Sequence, residues 1–142
     1  MRFTENFIDL CEDSSITQMN LAKAIGVNQS QISRYLKGIL PDVKTIVKIC
    51  DYFNCSIDYI MGLSEEFNYK NLKTGFNNLA FYPEYERLLK ESNLTHYALA
   101  KRKIVCETSL RLWKKGKLPN LEVIFNIALE LGSSMDKLLG RI

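Results

Sequence analysis

Apolar residues recur along this chain at the three- and four-residue intervals of a helix. In one stretch a single helical face is formed by Val43, Ile46, Val47, Cys50 and Phe53. No segment shows the alternation of apolar and polar residues that is typical of a strand. The pattern therefore predicts an all-α fold.

Polar residues and glycines divide the first 62 residues into five predicted helices. The first helix spans roughly Arg2–Cys11. Residues with N-cap chemistry stand before the other four helices, at Thr17, Asn28, Asp42 and Ser56. Gln31, three residues after Asn28, completes a capping-box pattern. Gly26 ends the second helix, where left-handed backbone is tolerated.

The same pattern occurs twice. Shifting the sequence by 78 residues brings 3–62 onto 81–140 without a gap, and 17 of the 60 aligned positions are identical. Two copies are too few for a solenoid, so each copy must bury its own core. We predict a helix-turn-helix domain over 1–63, a linker over 64–80 and a second, divergent copy over 81–142.

The stretch from Gln18 to Gly38 fulfils the physical requirements of a helix-turn-helix motif. A small residue, Ala22, stands where two helices approach, Gly26 occupies the turn, and apolar side chains fix the second helix at its crossing angle. The segment GILPDVKTIVKICDYFNCSIDYIMG continues the likeness. The chain resembles the five-helix, lambda-repressor-like domains of the phage repressor and Cro family, also called XRE-type.

The resemblance implies that the third helix enters the major groove of double-stranded DNA. By position, it implies that Gln29, Ser30 and Arg34 contact bases. A glutamine amide can pair with adenine as donor and acceptor, and an arginine reaches guanine or phosphate. Four further residues are implied to contact the DNA backbone, namely Thr17, Gln18, Asn28 and Lys37.

The second copy departs from this pattern. Ile104 replaces the turn glycine, so we expect a remodelled turn. Glu107, Thr108 and Leu112 occupy the positions implied to read bases. A cluster that includes Lys114, Lys115 and Lys117 nevertheless makes this copy basic. Two interpretations stay open: this copy adds phosphate contacts, or its third helix has become an interface for another chain.

The charge distribution follows the same division. The net charge is only +3, yet residues 1–66 carry six Lys/Arg against nine Asp/Glu, while residues 67–142 carry thirteen against seven. A basic module favours a polyanionic partner. Trp113, which aligns with Tyr35, is expected in the core, and His96 is expected to be an exposed residue without a role.

Several classes of function are not supported. No Ser–Lys, Ser–His–Asp or metal-binding pattern and no phosphate-binding glycine loop is present, so neither an enzyme nor a cofactor is predicted. The four cysteines form no CxxC pair. No apolar run approaches a membrane span, and the N-terminus does not resemble a signal peptide, so a cytoplasmic protein is expected.

The sequence therefore predicts a DNA-binding transcriptional regulator, most simply a repressor of the phage or mobile-element type. The alternative is a protein-interaction module, such as an antitoxin or inhibitor, on a helix-turn-helix scaffold. We expect a homodimer in which the first copy of each chain reads one half of a symmetric operator, because Leu112 offers a new contact. One chain reading two unlike half-sites is the rival arrangement.

Overall fold

The computed structural model describes all 142 residues. It contains ten α-helices, two short 3₁₀ turns and no β-strand, which confirms the predicted all-α fold. The chain divides into two compact units, Met1–Lys70 (unit 1) and Asn71–Ile142 (unit 2). No helix has both the length and the apolar character needed to cross a membrane.

Unit 1 consists of five helices with short connections. They are α1 (Phe3–Ser14), α2 (Gln18–Ile25), α3 (Gln29–Leu36), α4 (Val43–Phe53) and α5 (Ile57–Met61). α1 continues three residues beyond its predicted end at Cys11 and stops at Ser15, whose φ is 55°.

The predicted caps determine where the helices of unit 1 begin. The Thr17 hydroxyl accepts a hydrogen bond from the Asn20 amide at 3.1 Å, and a carboxylate oxygen of Asp42 accepts one from the Thr45 amide at 2.8 Å. Ser56 does the same for α5. Each bond satisfies one of the amides that a helix start leaves without a partner.

The core of unit 1 joins the helical faces that the apolar pattern predicts. Phe3 and Phe7 stack with their ring centroids 5.3 Å apart, and Phe7 meets Tyr35 edge-on at 6.4 Å. Ile49 of α4 is also completely buried, although the predicted stripe does not include it, whereas Phe53 is only half-buried. α4 is therefore covered on a wider face than the i, i+3, i+4 pattern alone indicates.

Unit 2 contains five helices and two 3₁₀ turns. The helices are α6 (Phe81–Glu91), α7 (His96–Lys101), α8 (Leu110–Lys114), α9 (Leu121–Glu130) and α10 (Met135–Leu138). The 3₁₀ turns are Asn78–Ala80, before α6, and Glu107–Ser109, before α8. Moving the five helix starts of unit 1 by 78 residues gives a helical start in unit 2 each time. That the units are copies of one domain stays a prediction.

An aromatic cluster forms the centre of unit 2. The Trp113 indole meets the rings of Phe81 and Tyr85 edge-on, each at 5.2 Å between centroids. Trp113 is 4% exposed, so the expectation that it lies in the core is confirmed. Since it is the only tryptophan in the chain, its fluorescence reports on unit 2 alone.

The segment 64–80, predicted to be a linker, makes hydrogen bonds in both units. Its first part is bonded within unit 1, where the Ser56 amide donates to the Phe67 carbonyl at 2.8 Å and the Tyr69 hydroxyl to the Asp58 carboxylate at 2.7 Å. Its second part begins with the Lys73 amide, which donates to the carbonyl of another unit 2 residue at 2.7 Å. Only residues 70–72 separate these bonded parts.

Candidate nucleic-acid interface

The connection between α2 and α3 is built around Gly26. Its φ of 76° lies in the left-handed region, and its amide closes α2 by donating to the Ala22 carbonyl at 2.9 Å. Leu21 of α2 and Ile32 of α3 are both buried and line the same space between the helices. These contacts fix the direction of α3 relative to α2, as the helix-turn-helix pattern predicts.

One side of α3 is buried and the other is free. Ile32 and Tyr35 face the core, whereas Gln29, Ser30 and Arg34 are exposed. Ser30 and Arg34 are four residues apart and Gln29 precedes them, so the three side chains share the outer side of the first turns of α3. Arg34 makes no ion pair within unit 1, which leaves its guanidinium available to an external acceptor.

The N-termini of α2 and α3 differ in what they offer to a phosphate. Thr17 and Gln18 are exposed, and the Thr17 hydroxyl caps α2 while its own hydrogen is free to donate. In contrast, the Asn28 amide donates to the side-chain oxygen of Gln31 at 3.0 Å. This confirms the predicted capping box and leaves only the exposed side chain of Asn28 for a phosphate. Lys37 is exposed immediately after α3.

The local charge around α2 and α3 is positive although unit 1 as a whole is acidic. Residues 17–49 carry five Lys/Arg and a single acidic residue, Asp42. The hydrogen bond from Thr45 holds the pKa of Asp42 below its usual value. This carboxylate is therefore engaged in capping the start of α4. Most of the acidic residues lie instead on α1 and after α4. The acidity of the first copy is therefore no obstacle to a polyanion at α3.

The corresponding turn of unit 2 is rebuilt, as predicted. α7 ends at Lys101, and the left-handed residue is Lys103, with φ of 60°, one position before Ile104. Because a β-branched residue is costly in this conformation, the turn moves to a residue that tolerates it better. The following helix begins as a 3₁₀ turn and becomes α-helical only at Leu110.

The side chains of unit 2 that correspond to the base-reading positions are exposed. Glu107 and Thr108 lie on the 3₁₀ turn, and Leu112 on α8 is 40% exposed. A second exposed leucine, Leu79 (66%), belongs to the first 3₁₀ turn, where the side-chain amide of the neighbouring Asn78 donates to the Gly116 carbonyl at 2.9 Å. Position 79 precedes the second copy of the repeat, which begins at Phe81, so the repeat gives no indication of this contact.

The predicted basic cluster of unit 2 is accessible. Lys114, Lys115 and Lys117 are all exposed, and none of them makes an ion pair. The Lys114 ammonium lies 6.0 Å from the centre of the Tyr82 ring, at the outer limit of a cation–π contact.

His96 is half-buried and engaged, so the expectation that it is an exposed residue without a role is wrong. The Tyr85 hydroxyl lies 2.8 Å from its Nδ1, and the Cys106 carbonyl lies 3.0 Å from its Nε2. Because a carbonyl only accepts hydrogen bonds, Nε2 carries the proton and Nδ1 accepts from the tyrosine. His96 therefore ties α6 to the segment that begins the third helical element of unit 2, and it is engaged within the protein.

Comparison with known proteins gives one match. Residues 9–60, all within unit 1, match the Helix-turn-helix family. None of the curated proteins and none of the solved structures compared matches the chain. The family match supports a DNA-binding regulator and concerns the unit that carries Gln29, Ser30 and Arg34.

Proposed function

We propose that this protein is a sequence-specific transcriptional repressor, of the kind that phages and other mobile elements carry, and that unit 1 reads double-stranded DNA. The observation that carries the proposal is the exposed outer side of α3, where Gln29, Ser30 and Arg34 stand on a helix fixed by its cap and by the Gly26 turn. An α-helix fits the major groove, and these side chains have the donors and acceptors that base edges require.

The residues around α3 supply the contacts that position the helix. Thr17 and Gln18 at the start of α2 face a phosphate on one side, and Asn28 and Lys37 face phosphates at either end of α3. The positive local charge of residues 17–49 adds attraction that does not depend on sequence.

Unit 2 supports the complex in a different way. Its Glu107 repels phosphates and its Leu112 forms no hydrogen bond with a base, so we assign it no sequence reading. The exposed Lys114, Lys115 and Lys117 suit phosphate contacts. The tether between the bonded parts of segment 64–80 is short, which favours two chains on a symmetric operator over one chain spanning two distant half-sites.

A second candidate function has one specific observation in its favour. Leu79 and Leu112 are exposed apolar side chains in unit 2, a feature expected of a protein-binding surface. A protein-interaction module, such as an antitoxin or inhibitor, would use this surface and would leave the outer side of α3 unused.

Selection of binding sites from a random DNA library, with the full-length protein at a stated salt concentration, tests the proposal. We expect one sequence family to be enriched, and footprinting to protect two half-sites whose centres lie about 34 Å apart along the duplex. Recovery of sequences indistinguishable from the starting library, at salt concentrations that suppress non-specific binding, would refute the DNA-reading function and favour the second candidate.

A further inference from the structure

Unit 1 has an open groove of about 500 Å³ between α1, α2 and α3. Its apolar walls are formed by Ile8, Cys11, Ile16, Leu21, Ile32 and Leu36. Burial raises the pKa of the Cys11 thiol to about 11, so this side chain is neutral and adds to the apolar wall. Thr17 and Gln18 lie at the end of the groove towards α2.

The apolar character of one end of this groove is not required by the fold. Ile8 and Leu36 are only half-buried. At the equivalent positions of unit 2, 78 residues later, the chain carries Glu86 and Lys114. Unit 2, whose helices start at the equivalent positions, thus tolerates charged residues there. Unit 1 instead carries two large aliphatic side chains that are partly exposed to water.

On the third helical element of unit 2, an apolar residue replaces a charged residue of unit 1. Leu112 occupies the position equivalent to Arg34 and is 40% exposed. Leu79 covers Gly116, since a Cβ built on that glycine would lie 2.9 Å from the end of the leucine side chain. Gly116 lies just beyond the end of α8, so Leu79 packs close to the C-terminus of the helix that carries Leu112. We call Leu79 and Leu112 the leucine ridge.

The charges beside the groove and the ridge are complementary. Glu12 lines the groove, and Asp9 and Asp13 are its exposed neighbours on α1; none of these three carboxylates makes an ion pair. Arg111 precedes Leu112 on α8 and is likewise exposed without an ion-pair partner. Opposite charges around an apolar contact favour association and fix its register.

We propose that the leucine ridge of one chain docks into the unit 1 groove of a second chain, with Leu112 between Ile8 and Leu36 and with Arg111 against Glu12. This contact gives the partner surface of the homodimer on which the proposed function relies. The contact pairs unlike surfaces, and we take it to form reciprocally, with the ridge of each chain in the groove of the other, because only then does it give a closed dimer and not a filament.

The docked arrangement leaves Thr17, Gln18 and Lys114, three of the proposed DNA contacts, accessible. The end of the groove formed by Ile8 and Leu36 lies about two helical turns of α1 away from the α2 end, at about 1.5 Å per residue. On α8, Lys114 is about 200° around the helix from Leu112, and it lies towards Tyr82. A ridge seated in the groove therefore does not consume Thr17, Gln18 or Lys114.

Sedimentation velocity over a concentration series of the full-length protein tests the contact. The two test variants are Leu112→Arg and Ile8→Glu, each of which introduces the residue that the other unit carries at the equivalent position. Both variants should raise the dimer dissociation constant by about tenfold or more, as expected for a central interface residue. Leu129→Arg is the matched control, because Leu129 on α9 is 61% exposed and outside the ridge; it should leave the dissociation constant unchanged.

A charge exchange tests the register. Glu12→Lys and Arg111→Glu should each weaken the dimer by about two- to fivefold, in the range of an exposed ion pair, and the double variant should restore it. A monomeric wild-type protein at all concentrations overturns the proposal, and so does a dimer that both single-site ridge and groove variants leave intact.

DNA binding separates this inference from the proposed function. Leu112→Arg should lose the dimer while a single half-site duplex is still discriminated from a mismatched one as well as by the wild type. A wild-type dimer that depends on Leu112 and Ile8 but selects no DNA sequence would support the docking contact and refute the DNA-reading function.

Discussion

Arg141 and Asp136 form an ion pair inside unit 2, with 2.9 Å between Nε and a carboxylate oxygen and with neither side chain accessible to solvent. A second guanidinium nitrogen of Arg141 donates to the Gly75 carbonyl at 2.8 Å. The pair therefore joins α10 to the segment that precedes α6. In unit 1 the equivalent carboxylate, Asp58, accepts a hydrogen bond from Tyr69 instead.

We expect Arg141→Met to destabilise unit 2 by about 3–5 kcal/mol, because it leaves the Asp136 carboxylate buried without its cation. Urea unfolding followed by Trp113 fluorescence measures this loss in unit 2. The double variant Arg141→Met, Asp136→Leu should recover part of the stability. An Arg141→Met variant with unchanged stability would show that the ion pair does not hold this segment.

His96→Ala should lower the stability of unit 2 by about 1–3 kcal/mol, because the buried Tyr85 hydroxyl and the Cys106 carbonyl each lose a partner. His96→Gln, which introduces the residue of the equivalent position in unit 1, is the matched variant and should lose less. Trp113 fluorescence reports the change directly, because its ring lies 5.4 Å from the imidazole. Equal stability of the wild type and the alanine variant would make His96 a bystander after all.

The sequence predicts local features well because they depend on neighbouring residues. Thr17, Asp42 and Ser56 cap helices within three residues of themselves, and the apolar stripe of α4 follows from its own spacing. The exposed side of α3 can be predicted in the same way, because the apolar Ile32 and Tyr35 determine which side of the helix faces the core.

Contacts between distant residues lie beyond this kind of prediction. His96 meets partners ten and eleven residues away, and the bond between Arg141 and Gly75 spans 66 residues. Burial is predicted from the periodicity of apolar residues, and a single arginine or histidine is not part of such a pattern. The contact between Leu79 and Gly116 cannot be predicted in this way either, because it depends on how the segment before α6 folds back.

Gln29→Ala and Arg34→Ala should each reduce discrimination between the selected operator and a mismatched site by about 1–3 kcal/mol per lost base contact, with the fold unchanged. Lys70→Ala, which removes an exposed cation of unit 1 outside α2 and α3, is the control and should leave discrimination intact. Fluorescence anisotropy with operator and mismatched duplexes provides the comparison. If both α3 variants discriminate as well as the wild type, bases are read elsewhere.

Neutralising Lys114, Lys115 and Lys117 together should weaken binding to all DNA sequences alike. Each lost phosphate contact lowers the slope of log affinity against log salt by about one unit, because fewer counterions are released. Titrations at several salt concentrations measure the slope, and Lys90→Gln, at an exposed site on α6, is the control. An unchanged slope would place unit 2 outside the DNA interface.

Acid should weaken the start of α4 while sparing the equivalent start of α9. The pKa of Asp42 is lowered in the folded protein, first of all by its hydrogen bond with Thr45, so its contribution is complete above the pKa of an unfolded aspartate. That contribution disappears as the pH falls through the lower pKa of the folded state. At α9 the cap is Asn120, whose side chain accepts from the Val123 amide at 2.9 Å and does not titrate.

Asp42→Asn should therefore make the stability of unit 1 less sensitive to pH. Asp42→Ala should lower that stability by about 0.5–1 kcal/mol at neutral pH, the low end for a cap because solvent screens this exposed group. Amide hydrogen exchange at Thr45 and Val123, measured from neutral pH into the acid range and corrected for intrinsic exchange, compares the two starts in one molecule. Parallel loss of protection at both amides would show that Asp42 does not control the acid response of unit 1.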